Sequence, residues 1–525
     1  MRPPAPCYRG QVIRVEISES ERRFDRIRQQ WGLRLAPAAF VLLLLVDIPG
    51  LSTPAQRLAA VCAATVLAWV TEAVALGAAA VLGPAVAVLL GVVGAKEGFA
   101  AFADPLIFLF LGGFLLAGGL ARQGFDRRAA LWLIARPIVR GSPQRATVAI
   151  AAIAFVFSMW ISNTATTAML LPVALGLLAT IGKVAPSDPL TQRKLHRFGG
   201  GMCLTLAYAS SLGGMTTPVG TGPNVIALGM LEDMAGVHID FLTWMLFAIP
   251  IGLASTVLVL LFGRRWFPSP VDRVEGLTDE VARQLDELGP MHPGERRAIG
   301  IFALAVVGWL TPASLRLILG EAHPTAQWAD ATLGEGTVAI VCACLMFAVP
   351  SGRPDPDDPE RSDRVLDVDA IARVDWSTLL LLGGGLALGR MTFDTGLAAA
   401  IGRTVIDLAG PIAQHPLGLM ATAGLLMIFL TEVTSNTAFT AMMLPVIIGI
   451  ADASHFDPTT TAVVTTLAAS HAFMLPVSTP PNAMAYGTRM IRIDDMMKLG
   501  LRLDLSTWVV LVVGGATLVA WLASA

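Results

Sequence analysis

Long apolar blocks separated by short polar connections set the rhythm of this chain. Apolar stretches recur around residues 36–50, 56–72, 76–95, 105–121, 244–263, 298–312 and 505–524. Runs of about 18 apolar residues are long enough to cross a bilayer as a helix. The pattern therefore predicts an all-α polytopic membrane protein. A membrane β-barrel is written in segments of about ten alternating residues, whereas these blocks are continuous. Composition agrees: 54% of the 525 residues are hydrophobic and only 14% charged, with mean hydropathy +0.66. Soluble domains carry about a quarter charged residues.

The polar interruptions are not random. "SNTATTAMLLPVALGL" at 162–177 and "SNTAFTAMMLPVIIGI" at 435–450 are identical at eleven of sixteen positions. Upstream, "LFLGGFLLAGGLARQGF" (109–125) resembles "LLLGGGLALGRMTFDTGL" (380–397). Downstream, "TTPVGTGPN" (216–224) resembles "MLPVSTPPN" (474–482). The three elements keep their order in both halves, so the chain contains an internal repeat.

Charge orients the two copies. The connection after the first copy, "GKVAPSDPLTQRKLHRFGG", is basic, while its counterpart "ADASHFDPTTTA" has no Lys or Arg. Basic loops stay in the cytoplasm, so equivalent loops lie on opposite sides and the repeats are inverted, an arrangement of many secondary transporters. Arginines crowd the first 34 residues, which implies a cytoplasmic N-terminus or a membrane-surface helix and an uncleaved start. The expected organisation is a cytoplasmic segment 1–34, a first transmembrane helix 35–55, repeat one over 56–268, a cytoplasmic linker 269–297 and repeat two over 298–525. About 16 apolar residues separate Arg145 from Ser162 and about 18 separate Thr164 from Lys183. Both arms thus begin and end at basic flanks, which predicts a re-entrant helical hairpin with Ser-Asn-Thr at its tip.

Each half supplies such a tip and a Gly/Pro-broken segment, "PVGTGPN" or "PVSTPPN". Proline removes a ladder donor and frees carbonyls. Carbonyls, hydroxyls and amides together form a hard oxygen cage suited to Na⁺, and helix N-termini facing a break attract an anion. Ser158 precedes Ser162 by four residues, and Thr431 precedes Ser435 by four. That spacing predicts two oxygens on one helical face, or else hydroxyls bonded back to their own helix.

With its two SNT motifs, "STPPN" and "WVTEAVALG" (69–77), the chain resembles the divalent anion/sodium symporter family, which carries dicarboxylates, tricarboxylates and sulfate. The likeness spans nearly everything after the first 30 residues except the linkers. It implies about eleven transmembrane helices plus two re-entrant hairpins, an elevator-type mechanism and a homodimer in the cell (inner) membrane. It implies one Na⁺ at Ser158, Ser162, Asn163 and the Gly220 carbonyl, and a second at Thr431, the Thr434 carbonyl, Asn436 and the Ser478 carbonyl. Substrate carboxylates would meet Asn163, Thr164, Thr221, Asn436, Thr437, Thr479 and Pro480. The implied partners are a small dianion, two or more sodium ions and the bilayer, with no organic cofactor and no nucleic acid. The resemblance favours C4-dicarboxylates such as succinate or malate; a sodium-independent exchanger, or a sulfate or citrate carrier, would use the same fold.

Three positions depart from the family's pattern. Gly222 stands where a proline is usual, Ser478 replaces a common alanine, and His471 takes a place usually small or apolar. His471, and the membrane carboxylates Glu72 and Glu432, are candidates for a proton or coupling role, because ionisable groups inside a membrane are costly; packing or pairing roles are the alternatives. An intramembrane enzyme has no support: the chain has no HExxH motif, and "LLGGGLALG" lacks the strand and acid of a dinucleotide site. Nor would a channel need duplicated cation cages. The five cysteines form no CxxC pair and are expected to act as small buried apolar residues.

Overall fold

The computed structural model describes residues 19–136, 139, 141–184, 188–274, 277–354, 362–410 and 415–522. Helices α1 (Glu19–Leu45), α2 (Thr53–Thr71), α3 (Leu76–Leu89) and α4 (Ala95–Ala100) come first. Then follow α5 (Pro105–Gln123), α6 (Phe125–Ile134), α7 (Pro143–Ser158), α8 (Asn163–Val184), α9 (Pro189–Gly214), α10 (Gly222–Ala235) and α11 (Phe241–Trp266). Helix α12 (Leu277–Glu287) lies in the linker. The second half begins with α13 (Pro293–Leu319), α14 (Pro324–Thr332) and α15 (Glu335–Ala348). After the strands β1 (Pro350–Pro354) and β2 (Ser362–Arg364) come α16 (Asp369–Ala372), α17 (Trp376–Asp394) and α18 (Leu397–Ala409). The chain closes with α19 (Pro416–Thr431), α20 (Asn436–Ala453), α21 (Thr459–Ala468), α22 (Pro480–Gly487) and α23 (Ile493–Leu522).

Local chemistry sets many of these starts. Asp104, Asp188 and Asp240 cap α5, α9 and α11 by accepting backbone N–H groups of Leu106 (3.0 Å), Thr191 (2.9 Å) and Thr243 (2.8 Å). Proline opens α5 and α9, where its missing N–H costs nothing.

By length and apolarity, seven of the described helices can cross a membrane, or eight if α14 and α15, bent by 63°, form one span. Four shorter apolar helices, α3, α7, α19 and α21, stand outside that count. The protein is a mostly helical multi-pass membrane protein. It is not all helix, as the apolar pattern implied: β1 and β2 pair antiparallel in a polar connection where Pro350 and Gly352 disfavour helix. The expected boundary at residues 34/35 falls inside α1. Within the linker, α12 lies against α6, and Arg128 of α6 pairs with Glu295 in the first turn of α13 (2.6 Å) and donates to the Gly289 carbonyl just after α12 (2.8 Å).

The two glycine-rich helices cross between the halves. Helix α5 packs on α15, and a Cβ at Gly112 would come within 2.6 Å of Ala339; α17 packs on α3, where a Cβ at Gly384 would overlap the Ala80 backbone. Close backbone approach, not phosphate binding, is what these glycines serve. Among the cysteines, Cys203 and Cys342 are buried and Cys62 is half-buried, but Cys344 is exposed on α15, contrary to the expectation of burial. Its side of the helix faces away from the bundle. Cys7 lies outside the described residues.

Candidate functional site

The polar tips are turns between helices. Helix α7 ends at Ser158 and α8 begins at Asn163; α19 ends at Thr431 and α20 begins at Asn436. The spacing that predicted Ser158 and Ser162 on one helical face therefore does not hold, nor does that for Thr431 and Ser435, because the helix stops between them. The reason is capping: Ser162 Oγ accepts Ala165 N–H (3.3 Å) and Ser435 Oγ accepts Ala438 N–H (3.4 Å). Serine gains more at a helix start than inside one.

The last hydroxyl on the helix that leads into each tip is buried but used differently. Ser158 Oγ donates to Asn163 Oδ1 (2.6 Å), bridging the first turn. Thr431 Oγ1 turns back on its own helix, at 2.8 Å from the Met427 carbonyl and 3.0 Å from that of Ile428. Its lone pairs remain while its proton is committed.

The broken segments follow. Between α9 and α10 the chain is irregular from Met215 to Thr221, and between α21 and α22 from Ala469 to Thr479. One asparagine spans each break. Asn224 Nδ2 donates to the carbonyls of Gly214 (3.0 Å) and Thr217 (2.7 Å); Asn482 Nδ2 donates to those of Ala472 (2.9 Å) and Leu475 (3.1 Å). Both side chains are fully buried. They satisfy carbonyls that the lost helix turns leave open. Sequence reasoning passed over this pair, although the shared final letter of "GTGPN" and "STPPN" marked it.

Tips and breaks meet. Thr217 Oγ1 donates to the Met159 carbonyl, fastening the first break to the first tip. A Cβ at Gly214 would overlap the Asn163 amide, and one at Gly220 would overlap the Gly214 carbonyl. Across the halves, α10 packs on α20 and α22 packs on α8. Gly222, the first residue of α10, lies so close to Thr437 at the start of α20 that a Cβ there would sit 2.9 Å from the threonine side chain. The positive ends of two helices, one from each half, thus converge on one place. Gly222, which departs from the expected proline, is what leaves room for Thr437.

The remaining sequence-predicted residues are placed as follows. Gly220, Ser478 and Thr479 are buried, Thr221, Thr434 and Thr437 half-buried, and Thr164 and Pro480 exposed at the first turns of α8 and α22. Thr479 Oγ1 caps α22 by accepting Asn482 N–H (3.2 Å). Thr434 Oγ1 donates to the Leu430 carbonyl (2.7 Å). Asn436 Oδ1 is buried with no hydrogen-bond partner. A buried acceptor without a donor is costly, so this oxygen fits a cation.

The hydroxyl of Ser478 turns to Glu432. That carboxylate accepts from Met474 N–H (2.7 Å), Leu475 N–H (2.9 Å) and Ser478 Oγ (2.5 Å), and so clamps the second break to the second tip. Glu72 instead ends α2 in a left-handed conformation (φ 48°) and pairs with Arg28 (3.0 Å). His471 is fully buried with Nδ1 2.8 Å from the Leu467 carbonyl and Nε2 3.3 Å from Ser255 Oγ. A neutral ring satisfies both contacts, donating at Nδ1 and accepting at Nε2.

Residues 28–525 match the family described as the sodium:sulfate symporter transmembrane region. The chain belongs to this family. Relatives in it include the sodium-dependent dicarboxylate transporter SdcS of Staphylococcus saprophyticus, 31% identical over 96% of this chain and 94% of the relative. SdcS of Staphylococcus aureus is also 31% identical, over 92% of this chain and 89% of its own length. The family and these relatives are transporters, not enzymes. Among solved structures, the YdaH transporter of Alcanivorax borkumensis, described as having an unusual topology, shares the fold. It aligns with a TM-score of 0.52 over 81% of this chain and 88% of that one, at 14% identity.

Proposed function

We propose that the protein is a secondary active transporter that couples inward Na⁺ flux to uptake of a divalent anion, a C4-dicarboxylate such as succinate or malate. One observation carries the reading: the starts of α10 and α20, from opposite halves, meet at Gly222 and Thr437 beside the unpartnered Asn436 Oδ1. Helix N-termini attract carboxylates, and a bare buried oxygen attracts a cation. The relatives named as sodium-dependent dicarboxylate transporters support the same pairing of ion and substrate.

In this reading one sodium takes Ser158, Ser162, Asn163 and the Gly220 carbonyl. A second takes Thr431, the Thr434 carbonyl, Asn436 and the Ser478 carbonyl. The substrate carboxylates meet Asn163, Thr164, Thr221, Asn436, Thr437, Thr479 and Pro480. These motifs contain no Arg or Lys. Desolvating a dianion without a counter-charge is prohibitive, so sodium binds first and completes the anion site. Asn163 and Asn436, shared between ion and substrate, carry the coupling.

The tips and breaks then move together as the carrier unit of an elevator, against a scaffold of the remaining helices, in a homodimer. The repeats are 56–268 and 298–525 in inverted topology, flanking a cytoplasmic linker. The N-terminus is cytoplasmic and the protein resides in the cell's inner membrane. A thermal-shift screen of purified protein against succinate, malate, citrate and sulfate, each with Na⁺ or choline, tests the assignment. Stabilisation by C4-dicarboxylates only in Na⁺ is expected. Equal stabilisation in choline would contradict sodium coupling, and a response to sulfate alone would contradict the substrate.

A further inference from the structure

Away from the tips and breaks, α7 and α11 both pack on α9 and leave a cleft of about 220 Å³ between them. Its floor is α9, where Phe198, Met202 and Thr205 are buried. Phe267 closes one end by packing over Gly201, where a Cβ would come within 2.4 Å of the phenylalanine side chain. The hydroxyls in the lining are spent on their own helices: Thr205 Oγ1 donates to the Gly201 carbonyl (2.8 Å) and Thr147 Oγ1 to that of Pro143 (3.0 Å). The walls divide by chemistry. Arg145 in the first turn of α7 and Arg264 in the last turn of α11 are exposed at one end. One turn deeper, Val148 and Leu261 are exposed apolar residues. Arg264 forms no ion pair among the described residues.

Cations at the helix ends and apolar walls one turn further in follow the order of groups along a phospholipid. Helix α11 is long and apolar enough to cross a membrane, and α7 is apolar along its length. Val148 and Leu261 therefore lie at hydrocarbon depth and the two arginines at headgroup depth. A soluble anion would use the arginines and leave the apolar walls bare, while a zwitterionic lipid would bring its own cation against them. We propose that the cleft between α7, α9 and α11 binds an anionic phospholipid, its phosphate between Arg145 and Arg264 and an acyl chain against Val148 and Leu261. Basic pockets between helices on the cytoplasmic side recognise such lipids, and the orientation proposed above puts this end there. Arg197 over the Phe267 ring (5.6 Å) and Arg502 over Trp266 (4.6 Å) add to the basic character of this end, although Arg197 also pairs with Asp495 (3.3 Å). Helices α7 and α9 lead to the first tip and the first break, so a lipid seated between them braces that half of the site. The lipid site stands whatever the coupling ion or the substrate.

The test is native mass spectrometry of the purified full-length protein in detergent, titrated with dioleoyl-phosphatidylglycerol or dioleoyl-phosphatidylcholine. The wild type is expected to bind phosphatidylglycerol about tenfold more tightly than phosphatidylcholine. The double variant Arg145→Gln/Arg264→Gln is expected to lose that preference, and Arg264→Glu to favour phosphatidylcholine. Both arginines are exposed, and each variant must co-elute with the wild type. Arg193→Gln/Lys194→Gln, which removes two charges from α9 outside the cleft, is expected to keep the preference. Equal binding of the two lipids by the wild type, or an unchanged preference in the double variant, overturns the site. Displacement of phosphatidylglycerol by inorganic phosphate at equal concentration overturns the lipid as the occupant and makes the cleft a soluble-anion site.

Discussion

Asn436 and Asn482 show two fates of a buried amide. Asn482 spends its donors on two carbonyls of the second break, at 2.9 and 3.1 Å. Replacing it by Asp keeps the shape and removes both donors, leaving buried acceptors open. We expect Asn482→Asp to cost about 2 kcal/mol, read as a lower midpoint of thermal unfolding, and Asn224→Asp to do the same at the first break. Asn436 Oδ1 is unsatisfied, as Asn482 Oδ1 is, but Asn436 stands at the start of α20 where the halves meet and not across a break. We expect Asn436→Ala to nearly abolish uptake while the protein still elutes as folded, because the lost oxygen serves ligand and not fold. Retained uptake with unchanged sodium dependence would exclude it from the mechanism. The Ser-Asn-Thr twins were legible in the sequence because short polar runs stand out against apolar surroundings. Glu432 was visible as a membrane acid, but its clamp on Met474, Leu475 and Ser478 spans more than 40 positions and no local pattern encodes it.

At the level of elements, helices stop at both Ser-Asn-Thr runs and at both Gly/Pro segments, but four-residue spacing misjudged how each helix ends. Four-residue spacing describes a continuous helix, while α7 and α19 stop at Ser158 and Thr431 and the serines cap their successors. Capping is a local competition that periodicity does not register. The pairing of α10 with α20 and of α22 with α8 was equally hidden, since it joins segments more than 200 residues apart. Gly222 tests that junction. Its missing side chain leaves room for Thr437. We expect Gly222→Val to lower uptake at least tenfold with the protein still folded, and Gly222→Ala to lower it less. Normal uptake in Gly222→Val would show that α10 and α20 do not need this approach during transport.

Across the whole molecule, contacts between the halves hold the site elements in place. Arg390 on α17 pairs with Asp104 at the start of α5 (2.6 Å) and with Asp233 near the end of α10. Removing it strands two acids, so Arg390→Ala is expected to destabilise by about 3 kcal/mol and to lower the unfolding midpoint; an unchanged midpoint would show the triad to be dispensable. The multi-pass helical class was legible from composition alone, because hydrocarbon demands long apolar blocks. The tie between Arg390, Asp104 and Asp233 was not, because each charge taken alone looks like an ordinary loop residue. The central claim, sodium-coupled dicarboxylate transport, is tested most directly by uptake of radiolabelled succinate into proteoliposomes of the purified protein. An inward Na⁺ gradient is compared with choline at equal ionic strength. Accumulation above equilibrium only with the Na⁺ gradient is the predicted result; equal uptake in choline would contradict it.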